Sequence, residues 1–254
     1  MGAATATVAL IGMRVWRART PGRYDTQALG LATRLPGVSG WTGRRLAVGV
    51  VAAVTPAAVL AATVVLVVVA LVLLRRRPVT TRLRVALFCL AAPVATRGAE
   101  AAVKYLVDRR PPRWGQLPPS WLHENPMLAL SYPSGHVAIT TTLALVGLLV
   151  LRAGRVRRAL AAAALVAAAA TIGVVGVSLV VLGFHFASDV VGGAALGVAV
   201  TLTAALASNV RPPWPWSHRG DRGRAGRIAT TRPQPPAAPP RTARRSLPDR
   251  PAHP

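Results

Sequence analysis

The sequence predicts an all-α protein, a polytopic integral membrane helix bundle. Of its 254 residues 52% are hydrophobic and only 15% charged. The apolar residues gather in Ala/Val/Leu runs near the length of about 20 that crosses a hydrocarbon core of about 30 Å. Between these runs lie most of the basic residues, 31 Lys+Arg against 7 Asp+Glu, for a formal net charge of +24. A soluble nucleic-acid binder of that charge would be rich in charged residues and in Lys, whereas here Lys104 is the one lysine beside 30 Arg. No folded nucleic-acid motif accompanies the charge, so no nucleic-acid partner is expected. The single cysteine, Cys89, lies inside an apolar run and excludes a disulfide framework or a cysteine metal cluster.

The elements follow in chain order. Ala3 to Met13 is apolar but only 11 residues long, too short for a full span, and no basic residue precedes it as in a signal peptide. It reads as a shortened first helix in an N-terminal segment, 1–45. Leu46 to Leu74 is 29 residues without a charge and reads as one span. Val85 to Val107 is a second, carrying Arg97, Glu100 and Lys104; Val137 to Leu151 becomes a third if the helix starts at Ser134. Ala159 to Gly183 and Phe184 to Ser208 form a tightly joined pair. These five spans make a core of 46–208. The remainder, 209–254, holds 10 Arg and 11 Pro from Arg211 onward and cannot bury a core, so it is expected to be a disordered tail drawn to anionic headgroups.

Arginine placement orients the chain, because short loops rich in Arg stay on the cytoplasmic side. Arg75, Arg76, Arg77, Arg82 and Arg84 form one such loop, and Arg152, Arg155, Arg157 and Arg158 another. Alternation then puts residues 108–133 and the Gly183 to His185 corner outside a plasma membrane, and the tail inside. The seven Arg between Arg14 and Arg45 oppose this map, but the two short loops flank unambiguous spans and decide it. Trp16, Trp41, Trp114, Trp121, Trp214 and Trp216 all lie outside the apolar runs, as interfacial anchors do.

Ionisable residues in or beside membrane spans are costly enough to be functional suspects. Three groups stand out: Lys104 with Asp108, Arg109 and Arg110; then Tyr132-Pro133-Ser134-Gly135-His136; then Ser178, His185 and Asp189. On the derived topology all three meet at the outer face. Ser134 can cap a helix whose first N–H groups, with Gly135 allowing close approach, bind phosphate. Lys104, Arg109 and Arg110 add positive charge, and the arginine fork matches phosphate bidentately. His185 and Asp189 are four residues apart, so on one face of a helix the carboxylate would fix the imidazole tautomer and leave the other nitrogen to attack. His136 at the neighbouring helix mouth would donate the proton. Arg97, Glu100, Lys104 and Asp108 recur at intervals of three and four, a polar stripe read as an internal ion-pair ladder rather than as catalytic.

Together these motifs resemble the type-2 phosphatidic acid phosphatase superfamily, whose signature is Lys-x6-Arg-Pro, Pro-Ser-Gly-His and Ser-Arg-x5-His-x3-Asp. The resemblance runs from about Leu46 to Ser208. It implies a six-helix bundle and a phosphatase that needs no metal or other cofactor. His185 would attack phosphorus, His136 protonate the leaving oxygen, Asp189 orient His185, and Lys104, Arg110, Ser134 and Gly135 hold the phosphate before water hydrolyses the phosphohistidine. Two departures are visible. Five residues, not six, separate Lys104 from Arg110, so Arg109 is the alternative ligand to Arg110. Leu179 stands where the signature has arginine. Loss of one charge aimed at a transferring phosphoryl group costs a few kcal/mol, about a hundredfold or more in rate.

The expected function is therefore hydrolysis of a lipid phosphate or pyrophosphate, with membrane lipids around the protein. The other reading, kept open by Leu179, is a catalytically weak or inactive relative that binds lipid phosphate or acts as a membrane interaction protein. A transporter fits poorly, since the polar residues gather at one face and do not line a path across. Phosphatidate, phosphatidylglycerol phosphate and undecaprenyl pyrophosphate present the same terminal phosphate, so the sequence does not choose among them.

Overall fold

The computed structural model describes residues 2–18, 20–34, 37, 40–112 and 130–210. The regular elements among them are helices: α1 Gly2–Ala18, α2 Arg23–Arg34, α3 Trp41–Ala52, α4 Pro56–Leu73, α5 Val79–Val107, α6 Gly135–Ala153, α7 Arg158–Val181 and α8 Ala187–Ala207. Five of these, α4 to α8, are long and apolar enough to cross a membrane. Residues 1–212 form one compact unit, so the N-terminal segment belongs with the core rather than apart from it. The second unit, 213–254, and residues 113–129 lie outside the described residues, and with them Trp114, Trp121, Trp214 and Trp216.

The 29-residue charge-free run is not one helix. It breaks after Ala52 and restarts at Pro56, because proline has no N–H to give to the preceding turn and is favoured at the first helical position. Thr55 caps the restart, its hydroxyl oxygen accepting from the Ala58 N–H at 3.1 Å. At the N-terminus the 11-residue apolar run extends to a helix of 17 residues, still shorter than each of the five spans.

Helix α8 is central and packs against α6, α5 and α1; α6 also packs on α7, α4 on α5 and α6, and α3 on α7. Small residues allow the closest approach. A Cβ at Gly197 would come within 2.5 Å of the Ala138 carbonyl oxygen and 2.8 Å of Thr141 Cβ, and one at Gly193 would overlap the Ser134 carbonyl. Helices that share apolar surroundings with lipid gain little by hiding oil from oil, so close backbone contact and interhelical hydrogen bonds hold them. The buried bond between Thr96 and Thr142, 2.8 Å, is one of these.

The end of the bundle away from the site is packed by Phe88, Cys89 and Ala92 of α5 with Val146 and Val150 of α6 and Ala205 of α8. Elsewhere apolar side chains point outward: Leu60, Val65, Val68, Val94, Val166 and Val177 are all more than half exposed. In water such faces would be untenable; in a bilayer they meet lipid. The chain is an integral membrane protein.

Candidate active site

The three sequence groups converge at one end of the bundle. Helix α6 begins after a cis Tyr132-Pro133 bond, with Ser134 at the N-cap in extended conformation. The Ser134 N–H donates to the Asp189 carbonyl at 3.0 Å, which ties the start of α6 to the first turn of α8. Its hydroxyl makes no cap bond and is buried without a partner. Tyr132 is fully buried, donates its hydroxyl to the Val8 carbonyl at 2.9 Å, and so pins α1 to this corner. Burial pushes the Tyr132 hydroxyl pKa up.

His185 does not share a helical face with Asp189, as the spacing of four predicted. It precedes the helix: Phe186 is the N-cap of α8 and Asp189 occupies the third helical position, its Oδ2 accepting from the Phe186 N–H at 2.8 Å. A carboxylate there satisfies an N–H that the helix leaves unpaired, so the cap takes precedence over the i,i+4 pairing. His185 Nδ1 still lies 3.7 Å from Asp189 Oδ2, buried and with no hydrogen-bond partner.

A cavity of about 340 Å³ opens between these segments, lined by Arg97, Glu100, Lys104, Gly135, His136, Leu179 and His185, with Val51, Leu130 and Phe184. Lys104 is buried and donates to the Leu130 carbonyl at 2.8 Å, with Glu100 Oε1 3.4 Å away. Glu100 Oε2 accepts from Arg97 Nη1 at 2.6 Å. The polar stripe is thus an ion-pair ladder from Arg97 to Lys104, as its spacing predicted. Asp108 leaves it, because the chain turns there into a left-handed helix cap with φ 48°. Arg97 and His136 also line an adjoining apolar cavity of about 670 Å³, walled by residues that include Val54, Val59, Leu60, Leu90, Val94 and Ile139.

The two arginine candidates are placed differently from expectation. Arg109 is buried and turned away from the cavity: Nη1 donates to Asp189 Oδ1 at 2.6 Å and Ser188 Oγ at 2.7 Å, Nη2 to Asp25 Oδ2 at 2.7 Å, and its guanidinium lies 4.2 Å from the Phe186 ring centre. Two buried carboxylates outcompete a phosphate ligand's role because a guanidinium taken out of water needs its counter-charge at hand. Arg110 is exposed and is not among the residues that line the cavity.

Sequence reasoning missed Asp25. It lies in the first turn of α2, and its carboxylate also accepts from Ser188 N–H at 2.9 Å and Ser188 Oγ at 2.8 Å. Burial opposes its ionisation, but the hydrogen bonds from Arg109 and Ser188 outweigh that and hold its pKa below the ordinary 3.8. Its single signal in the sequence was rarity, as one of seven acidic residues.

Fold and site define a class: a membrane helix bundle in which two histidines, a lysine and a helix N-terminus face one cavity. The PAP2 superfamily model matches residues 83–213, which hold every one of these groups, and the chain belongs to that superfamily. Among solved structures it is similar to the one described as the first transmembrane PAP2 type phosphatidylglycerolphosphate phosphatase from Bacillus subtilis. The TM-score is 0.58 at 17% identity, covering 82% of this chain and 98% of that one, a likeness of fold. Among curated proteins no sequence matches significantly.

Proposed function

We propose that this protein hydrolyses the terminal phosphate of a lipid phosphate or pyrophosphate through a phosphohistidine. The observation that carries the reading is the placement of His185, His136, Gly135 and Lys104 around one cavity, with Asp189 beside His185 Nδ1. Asp189 favours the tautomer with the proton on Nδ1, leaving the Nε2 lone pair for phosphorus. Attack forms the Nε2–P bond and breaks the P–O bond to the lipid; the electron pair goes to the leaving oxygen, which takes a proton from His136. A water then gives its proton to His136 and its oxygen to phosphorus, and the N–P bond breaks, restoring both histidines. Lys104 and the Gly135 N–H at the start of α6 offset the phosphoryl charge, with the unpartnered Ser134 hydroxyl as a further donor. Side chains and backbone N–H groups supply each step, without a metal.

The adjoining 670 Å³ apolar cavity supports a lipid substrate, because it shares Arg97 and His136 with the polar one and can take an acyl or prenyl chain while the phosphate stays at the histidines. The Arg-rich turns of residues 75–84 and 152–158 lie at the ends of α4 to α7 away from the site. By the positive-inside rule this arrangement supports a site at the outer face of a plasma membrane.

Purified protein in detergent tests the reading with phosphatidate, phosphatidylglycerol phosphate and undecaprenyl pyrophosphate. His185→Ala and His136→Ala should each lower phosphate release by about three orders of magnitude in folded protein, and chelators should leave the wild type unaffected. Retained turnover in His185→Ala would remove the nucleophile assignment. A second reading, a relative that binds lipid phosphate with little turnover, is favoured by Leu179, buried against the cavity where a cation would serve. Saturable binding of phosphatidate vesicles by wild-type protein that releases no phosphate would select it.

A further inference from the structure

The cavity already holds an anion, and it belongs to the protein. Glu100 is 4% exposed, its two oxygens lie 2.6 Å from Arg97 and 3.4 Å from Lys104, and its carboxylate fills the space where a side chain at residue 135 would stand. A carboxylate between two cations at the first turn of a helix occupies the electrostatic position of a bound phosphate. The two cations differ. Lys104 is buried, its ammonium held by a carbonyl, whereas the Arg97 side chain is 57% exposed. Arg97 is therefore the group that can change partner at little cost.

We infer that Glu100 is a built-in competitor for the phosphate site, displaced when phosphate enters, and that Arg97 passes from Glu100 to the phosphate to supply the charge that Leu179 does not. The inference rests on the phosphatase reading and adds two residues to it. Charge balance supports the exchange. With Glu100 in place, Arg97 and Lys104 offset one negative charge; a phosphate dianion added beside it would leave three negative charges facing two positive ones. Moving Glu100 away lets two cations meet two charges, and Arg97 can then grip phosphate bidentately. A site built so holds free inorganic phosphate weakly, because product must compete with an anion tethered at high local concentration, while the lipid portion gives the substrate additional hold.

The test uses full-length protein in detergent, with inorganic phosphate and orthovanadate as probes. Glu100→Gln keeps the shape and removes the competing charge, so the inhibition constants of both probes should fall tenfold or more. If Glu100 instead serves to aim Arg97 and Lys104 at a phosphate bound beside it, those constants rise, and the inference fails. Arg97→Ala should weaken both probes and lower kcat/KM by about a hundredfold, with partial recovery in Arg97→Lys. Adding Leu179→Arg to Arg97→Ala should restore at least tenfold, since both guanidiniums would serve the same phosphate. Where that double variant does not fold, Arg97→Lys decides: no difference among Arg, Lys and Ala at position 97 overturns the role. Vanadate protection against heating reads the same order of variants without turnover. An enzyme that turns over with unchanged anion binding in Glu100→Gln and Arg97→Ala refutes this inference alone, whereas anion binding in the expected order with no turnover in any lipid counts against the phosphatase reading alone.

Discussion

Asp25 offers the sharpest test of how the N-terminal helices serve the site, because it lies outside the matched family segment and yet shares Arg109 with Asp189. Its carboxylate accepts from Arg109 and from the N–H and hydroxyl of Ser188, all at 2.7–2.9 Å and in a place where it is only 4% exposed. Asp25→Ala leaves the Ser188 N–H without this partner and half of the Arg109 fork unpaired. Removing one partner of a buried ion pair costs about 3–5 kcal/mol; because Asp189 keeps the other half of the fork, the lower end, about 3 kcal/mol, applies. For a bundle of this size that is on the order of a 10 °C fall in the unfolding midpoint. The pH dependence has a definite sign. The folded pKa lies below the unfolded value near 3.8, so the contribution is fully present above that value and is lost as pH falls through the folded pKa. Wild-type protein should therefore lose stability on acidification below pH 3.8 more steeply than Asp25→Asn, which starts lower at neutral pH. The assay is thermal unfolding in detergent from pH 7 to pH 3, followed by tryptophan fluorescence. A midpoint change under about 2 °C in Asp25→Ala, or parallel acid profiles for wild type and Asp25→Asn, would refute the ion-pair account.

Gly197→Ala puts a methyl within 2.5 Å of the Ala138 carbonyl and should cost about 1–3 kcal/mol by forcing α8 away from α6; because the Ser134–Asp189 backbone bond crosses that same interface, phosphate release should fall with the midpoint. Gly173→Ala, where nothing lies within 4 Å, is the control and should change neither. For topology, Thr20→Cys sits by the cavity that Arg109 and Asp25 line, at the site end, and should react with an impermeant maleimide on intact cells; Arg157→Cys, at the opposite end, should react only after lysis. The native Cys89 is buried and gives little background. Labelling of Arg157→Cys and not of Thr20→Cys on intact cells would put the site in the cytoplasm.

Much of the site was legible because its residues report on themselves. Lys104, His136, His185 and Asp189 are rare polar groups at the ends of apolar runs, and in a membrane chain rarity is itself a signal. Asp25 and Arg97 were harder. Asp25 has no fixed spacing from Arg109 or Ser188, since its partners come from other helices, and no local pattern can announce them. Arg97 was visible as one rung of a ladder, but its opening onto both cavities depends on where α3 and α6 pass, which spacing along α5 does not contain. The break at Thr55-Pro56 was written in the sequence and was overridden by the lack of charge around it; hydropathy measures cost in lipid, not backbone hydrogen bonding.

The sequence by itself determined that the chain lies in a membrane, how many helices are long enough to cross it, and which polar residues gather at one end, because hydrophobic length and the placement of charge are properties of the chain in order. The tertiary structure alone decided the pairings: Arg109 to Asp25 and Asp189 rather than to the cavity, Glu100 into the start of α6, and Leu179 onto the cavity wall. A charge buried in a low-dielectric bundle takes its nearest counter-charge, and which one is nearest is set by how the helices pack.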